Sequence, residues 1–321
     1  MQKTTKMKLK QIASIVLFLT LIVALAFYLY ENRNDFKELF KLDTSLIGWI
    51  LFFAFCGCMM NALYHKWLLD TYKLPLTLSD WVGVVSIANV IAYVAPLRMD
   101  LLFSAAYYRK TKGLAYVKSA SMAAGNIVFG VAFSLIQMVV ALLCTGLING
   151  NWPITLWLVC GIIFIGLAAI IACSLLFDSH KPPFLRNVKI LWKIVGGFNE
   201  LLRNRKLLVQ ILVCLTFNNL FQLLLYMTCF QAIGIETALY DTLFYSAVSR
   251  MITFVAIVPG NIGIKEMVMG IATSLMGTLF ANGVAVSLLH RVALMCIHFG
   301  LAIIFVYPVF KRYNQVEANK E

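Results

Sequence analysis

Charge is scarce in this chain. Only 13% of its 321 residues are Asp, Glu, Lys or Arg, and just 14 are acidic. A water-facing surface is normally far richer in charge, so a soluble globular domain is excluded. Metal and thiol chemistry are equally thin. The four histidines have no metal-ligand spacing, His290 and His298 being eight apart, and nothing reads His-Glu-x-x-His. The eight cysteines all lie in apolar stretches, where a free thiol behaves as a small hydrophobe and no disulfide framework is implied. Cys56 and Cys58 face different ways on a helix, which rules out a Cys-x-x-Cys site. No metal or other cofactor is expected.

Apolar residues supply the rest: 61% of the chain is hydrophobic and its mean hydropathy is strongly positive. That composition belongs to a polytopic membrane protein. A span needs about 20 apolar residues, and six stretches qualify: 11–30, 45–69, 119–147, 154–177, 207–233 and 284–310. The first lacks a small-residue cleavage site and reads as a retained helix, not a signal peptide. Two further stretches, 82–108 and 238–281, are apolar but interrupted by Pro96 and Pro259. Each is either a re-entrant hairpin or a pair of crossings. The expected fold is all-α, a single integral membrane domain over 1–321 with halves of about 1–150 and 151–321. It has six full transmembrane helices plus two proline-broken helical hairpins.

The net charge of +13 is distributed unevenly. Of 27 Lys and Arg, 20 fall in 1–10, 65–80, 109–118, 178–206 and 311–321, three fall in 31–44, and Arg98, Arg250, Lys265 and Arg291 lie inside apolar segments. The positive-inside rule then makes both termini cytoplasmic. Most of the basic excess follows from this orientation, so nucleic acid is not an expected partner. The cytoplasmic loop 178–206 holds the longest basic tract, Lys181 to Lys206, with apolar residues from Leu185 to Leu202. It suits an interfacial amphipathic helix that anchors on anionic lipid or gathers an anionic lipid substrate.

The two interrupted stretches share one pattern: apolar helix, proline, polar turn, second apolar helix. Proline removes a backbone donor and stops or kinks the helix. In hydrocarbon the freed backbone groups require protein or a water-filled cavity around them. With the termini cytoplasmic, the first hairpin enters from the cytoplasm and the second from the opposite face. The halves form an inverted repeat whose tips meet near the midplane, an arrangement typical of alternating-access transporters.

Ionisable groups inside the membrane are candidate site residues by default. In the second stretch, Pro259-Gly260-Asn261-Ile262-Gly263 precedes a helix starting at Ile264, and a helix N-terminus attracts anions. Gly260 and Gly263 allow close backbone approach, Asn261 is placed to cap, and Glu266 in the first turn suits the dipole. Arg250 and Arg291 either complete a phosphate cradle or pair with Glu266 or Asp241 as buried structural ion pairs. Lys265 adds a further cation. The first stretch contributes Asn89, Pro96, Arg98 and Asp100. His298 shares a helical face with Arg291 and is a weaker candidate, for proton coupling.

These residues resemble those of the membrane region of lysylphosphatidylglycerol synthases and the related stand-alone flippase-like membrane proteins. The family pattern Pro-Gly-Gly-x-Gly-x-x-Glu with a later arginine is similar to Pro259-Gly260-Asn261-Ile262-Gly263-Ile264-Lys265-Glu266 and Arg291. Its first-half pattern, Asn then Pro-x-x-Gly-Asp and an arginine, is matched by Asn89, Pro96 and Asp100, with Met99 and Phe103 as departures and Arg98 as a shifted source of charge. The resemblance implies a flippase in a prokaryotic inner membrane. Its expected cargo is an anionic or aminoacylated phospholipid, or a polyprenyl-phosphate lipid. The family's soluble synthase domain is expected to be absent, since the chain stops eleven residues after its last apolar segment. A separate lipid-modifying synthase is the expected partner, and aminoacyltransferase activity is not expected.

Three other classes compete. A membrane enzyme acting on a lipid or polyprenyl phosphate carrier would use Asp100 and Glu266 as acid and base, but no Asp-Asp-x-x-Asp cluster accompanies them. A small-solute secondary transporter would need a hydrophilic substrate and ion coupling. A scaffold leaves the intramembrane arginines without a purpose. The orientation is tested directly by reporter fusions at Glu321: a fluorescent protein there should be bright and a periplasmic phosphatase inactive, and the reverse pattern would invert the topology.

Overall fold

A computed structural model describes residues 30, 43–95, 98–150, 152–179, 189–254 and 258–318. Among these there is no strand, and ten α-helices follow one another: α1 (Ile47–Asp70), α2 (Ser79–Val94), α3 (Met99–Lys112), α4 (Tyr116–Asn149), α5 (Ile154–Ser179), α6 (Lys189–Arg203), α7 (Arg205–Ala232), α8 (Leu239–Phe254), α9 (Ile264–Leu275) and α10 (Phe280–Ala318). Helices α1, α4, α5, α7 and α10 are long and apolar enough to cross a bilayer. They match five of the six expected crossings; the sixth, 11–30, lies outside the described residues except for Tyr30. The interrupted stretches become α2, a break, then α3, and α8, a short 3-10 turn at Pro259–Asn261, then α9.

Local sequence explains where several helices begin and end. Helix α3 stops at Gly113, whose φ of 69° is the left-handed cap that glycine adopts freely, and Arg109, Lys110 and Lys112 occupy the last turn where the dipole favours cations. Helix α7 starts where the Asn204 side chain accepts the Leu207 N–H at 3.1 Å. Helix α10 runs on to Ala318, past the expected end at 310. Its 39 residues measure about 58 Å against a hydrocarbon core of about 30 Å, so its ends project beyond the apolar zone.

Two apolar cores sit at opposite ends of the same long helices. One gathers Ile50 and Ala54 of α1, Leu142 of α4, Leu225 and Phe230 of α7 and Val286 of α10 around α8 and α9. The other gathers Leu68 and Leu69 of α1, Met122 of α4, Leu207 and Ile211 of α7 and Val309 of α10 around α2 and α3. The two broken segments are thus seated at opposite ends of a bundle of α1, α4, α7 and α10. Close helix approach needs small residues here, because lipid offers no hydrophobic drive to pack one helix against another. A Cβ on Gly283 would lie 2.4 Å from both Met269 O and Thr273 Oγ1, so α10 touches α9 backbone to backbone.

Two outer elements differ in what they face. Helix α5 leaves Leu158, Ile162 and Ile165 exposed, as a lipid-facing helix does. Helix α6, expected on the lipid surface, instead turns Phe198 and Leu201 into the protein. Ser121 Oγ donates to Ile194 O at 2.9 Å, and Asn199 and Ser174 exchange hydrogen bonds at 2.6 and 3.0 Å, which fix α6 to α4 and α5. Residues 180–188 of the basic tract lie outside the described residues.

Asp80 is a further anchor. Fully buried in the π-helical first turn of α2, it accepts hydrogen bonds from Thr77 N–H and Thr77 Oγ1, both at 2.9 Å, and from Tyr107 OH at 2.7 Å. It also pairs with Lys112 at 2.8 Å and Arg312 at 3.0 Å, while Tyr108 OH donates to its backbone oxygen at 2.7 Å. One carboxylate therefore ties α2, α3 and the end of α10 together. The Asp80→Ala variant should lose roughly 3 kcal/mol, the low end for a broken buried pair because Lys112 and Arg312 can turn towards water. The check is a thermal melt in neutral detergent, where an unchanged midpoint would remove Asp80 as an anchor.

Candidate functional site

The site is built around the turn between α8 and α9. Gly260, Asn261 and Gly263 have φ values of 59°, 50° and 82°, positive angles that glycine adopts freely and asparagine tolerates, with Ile262 extended between them. A Cβ on Gly260 would lie 3.3 Å from Tyr93 Cδ1 and from Arg291 Nη1. The turn therefore abuts α2, the incoming arm of the other broken segment. Asn261 does not cap α9 as expected. The left-handed backbone aims its side chain back at α8, where Nδ2 donates to Ile252 O at 2.8 Å. The cap is Glu266, whose Oε2 accepts the Gly263 N–H at 2.8 Å.

Glu266 and Arg291 realise the buried-ion-pair alternative. Glu266 is 0% exposed, and its Oε1 accepts from Arg291 Nε at 2.9 Å and lies 2.8 Å from Nη2. The same guanidinium donates from Nη1 to Gly260 O at 2.5 Å and from Nη2 to Asn261 O at 3.3 Å. Arg291 is thus committed to bracing the turn, and its charge is offset by Glu266.

Arg250 and Lys265 stand differently. Arg250 Nη2 donates to Asn218 Oδ1, and Asn218 in turn donates to Gly57 O at 2.8 Å. Lys265, 7% exposed, lies with Nζ 3.0 Å from His290 Nδ1. His290 Nε2 is 2.8 Å from Gln222 Oε1, an acceptor, so the ring proton sits on Nε2 and Nδ1 is left to accept from the lysine. Tyr226 stacks on the imidazole at 4.4 Å and fixes its plane. Among the described residues neither Arg250 nor Lys265 makes an ion pair with a carboxylate.

The first broken segment reaches the same place. Pro96 and Leu97 lie outside the described residues. Arg98 follows with φ 57°, an uncommon conformation for a side chain of its size. Its guanidinium lies 3.3 Å from Asp100 Oδ2, and Nη1 donates to Thr253 O near the end of α8 at 3.5 Å. Asn89 Nδ2 donates back to Val85 O at 3.0 Å.

Between the two segments lies a cavity of about 770 Å³. It brings together Asn89, Arg98, Asp100, Arg250, Gly260, Asn261, Lys265 and Arg291 on its wall, while Pro259, Gly263 and Glu266 lie behind that wall. His298 also lines it, with Nε2 3.5 Å from Cys58 Sγ. Asn218, Gln222 and His290 support the cations from the same wall and were not singled out as site residues by sequence reasoning. The signal was present: Asn218 and Gln222 are four apart in an apolar run, one polar stripe on one helical face. Among the described residues no group of three His, Cys, Asp or Glu is placed to hold a metal ion.

Residues 11–302 match the family model described as the lysylphosphatidylglycerol synthase TM region. No curated protein and no solved structure matches the chain.

The ion pair makes a stability prediction. Arg291→Met and Glu266→Gln should each cost about 3–5 kcal/mol, since each leaves a buried partner uncompensated. The double variant should recover much of that loss. Thermal unfolding of the four proteins measures the coupling; additive losses would mean that the two side chains act independently.

Proposed function

The chain belongs to the lysylphosphatidylglycerol synthase transmembrane-region family, and on that premise we propose that it is a flippase or translocase, carrying a lipid head group between leaflets of a prokaryotic cell membrane. The observation that carries this reading is the cavity, lined by several cations, where two broken helical segments meet. A desolvated phosphate is the costly part of lipid transfer, and a cavity that supplies donors and cations lowers that barrier while the acyl tails stay in lipid. The seating of the broken segments at opposite ends of one bundle supports the inverted-repeat arrangement with opposed hairpins. Alternating access would then proceed by rocking of the two halves, with both termini cytoplasmic.

The cargo class at this level is an anionic or aminoacylated phospholipid, or a polyprenyl-phosphate lipid. A separate synthase would supply a modified lipid, and the chain itself would do no chemistry. Proteoliposomes containing the purified protein should equilibrate head-group-labelled lipid between leaflets with the label chemically intact, and Arg250→Ala should slow this at least tenfold. Chemical conversion of the lipid without movement would assign a membrane enzyme instead. Movement of no lipid by a well-folded wild type would remove the flippase reading.

A further inference from the structure

A second hollow lies outside the cavity, between α3 and α10. It is a groove of about 200 Å³, walled by Phe103, Ala106 and Tyr107 of α3 and by Val309, Phe310 and Tyr313 of α10. The α3 wall is a single helical stripe, and its spacing of three and four residues carries on from Phe103, Ala106 and Tyr107 to Lys110. Ala106 has the smallest side chain of the wall and makes the hollow, between the rings of Phe103 and Tyr107. Phe310 is 45% exposed, and Leu102 of α3 and Tyr307 of α10 are exposed as well. Such large apolar side chains on the outside of a membrane bundle face lipid, so the groove opens towards acyl chains.

One end of the groove is basic. Lys110 Nζ sits 3.6 Å from the centre of the Tyr313 ring, directly on the wall. Tyr107 OH donates to Asp80 Oδ1 at 2.7 Å, and the other oxygen of that carboxylate lies 2.8 Å from Lys112 Nζ and 3.0 Å from Arg312 Nη1. Asp80 offsets only one of the two cations that share it. Arg109 and Lys311, in the same terminal turns and both exposed, add to the excess. The charge stays positive even with Glu317, further along α10, counted against it.

We propose that this groove binds one anionic phospholipid of the surrounding bilayer, at a site separate from the central cavity. An acyl chain lies between α3 and α10, and the phosphate lies over the basic end. The wall alone would accept a chain of any lipid, because lipid tails are as apolar as the side chains that line it. Selection comes from charge. Phosphatidylglycerol brings a net negative charge to a rim with excess cations, whereas the head group of phosphatidylcholine has no net charge. Lysine stems reach along apolar surface to the head-group level, and basic side chains beside a bilayer attract anionic lipid. A lipid seated here would brace α3, and with it the first broken segment, against α10. The site does not depend on what the central cavity carries.

The test is native mass spectrometry of the full-length protein released from neutral detergent, after incubation with equal amounts of phosphatidylglycerol and phosphatidylcholine of matched chains. The wild type should retain about fivefold more phosphatidylglycerol, and the excess should shrink as the ionic strength of the incubation rises. Ala106→Trp, which fills the groove, should bring the ratio near one. Lys110→Gln combined with Lys311→Gln should do the same, whereas Lys110→Arg with Lys311→Arg should keep the preference. Phe310→p-benzoylphenylalanine, at an exposed position that tolerates a second ring, should photocrosslink to phosphatidylglycerol and so locate the lipid even where a groove variant fails to fold. Equal retention of the two lipids by the wild type would overturn the proposal, as would a preference that survives in either the filled or the neutralised variant once that variant is shown to be folded. Crosslinking of position 310 to the protein itself in place of lipid would assign the groove to a segment of this chain and overturn it equally.

Discussion

The pair formed by Glu266 and Arg291 is the constraint on which the interior depends. A helix broken inside apolar surroundings exposes N–H and C=O groups that hydrocarbon cannot satisfy. Here Glu266 takes the Gly263 N–H and Arg291 takes the carbonyls of Gly260 and Asn261, so one ion pair closes both sides of the break. A buried pair of this kind adds little net stability over an apolar replacement. Its contribution is positional: it holds the turn against Tyr93 of α2, and that contact helps to close the cavity.

Because the pair neutralises itself, it leaves the charge of the cavity to other residues. Arg98 and Asp100 cancel in the same way at the first tip. What remains is set by α7, a helix that passes through both cores and carries Asn218 and Gln222 between them. A single polar stripe on an otherwise apolar helix thus positions the cations. Neutral amides are suited to this, since they orient a guanidinium and an imidazole without offsetting the charge that a ligand would meet.

Much of the fold was legible in composition and spacing. Five of the expected crossings coincide with the long helices because an uninterrupted apolar run of that length has few alternatives in a bilayer. The two breaks were legible because proline and glycine act through the backbone, whatever surrounds them. Partner choice was not. The spacing of Glu266 and Arg291 allowed both a phosphate cradle and an internal pair, and only the tertiary fold brings Arg291 Nε to 2.9 Å from Glu266. Asp80 was missed although Thr77-x-x-Asp80 before an apolar run is a capping signal, because its pairing with Arg312 spans 232 positions in sequence. Helix α6 was read for its amphipathic face, but periodicity does not say whether that face meets lipid or protein.

Each broken segment is anchored at its own end by a separate device. Asp80 fixes α2 and α3 to the end of α10, while Glu266 fixes the second turn to the first half of the same helix. Among the described residues the tips meet through slighter contacts: the hydrogen bond from Arg98 to Thr253 O at 3.5 Å and the packing of Tyr93 on Gly260. A long hydrogen bond contributes about 1 kcal/mol or less, whereas breaking either anchor costs several. Any rearrangement that opens the cavity should therefore part the tips and spare the anchors, so each broken segment would move as a unit with its own end of the bundle. Helix α10 holds both anchors, and Arg291 in its first half and Arg312 near its end lie about 32 Å apart along its axis. A single rigid helix would couple the two ends, so parting the tips requires α10 to bend or to slide between them. Pro308 inside α10, four residues before Arg312, removes one backbone donor from the ladder at the point where such bending would leave the Glu266 pair undisturbed.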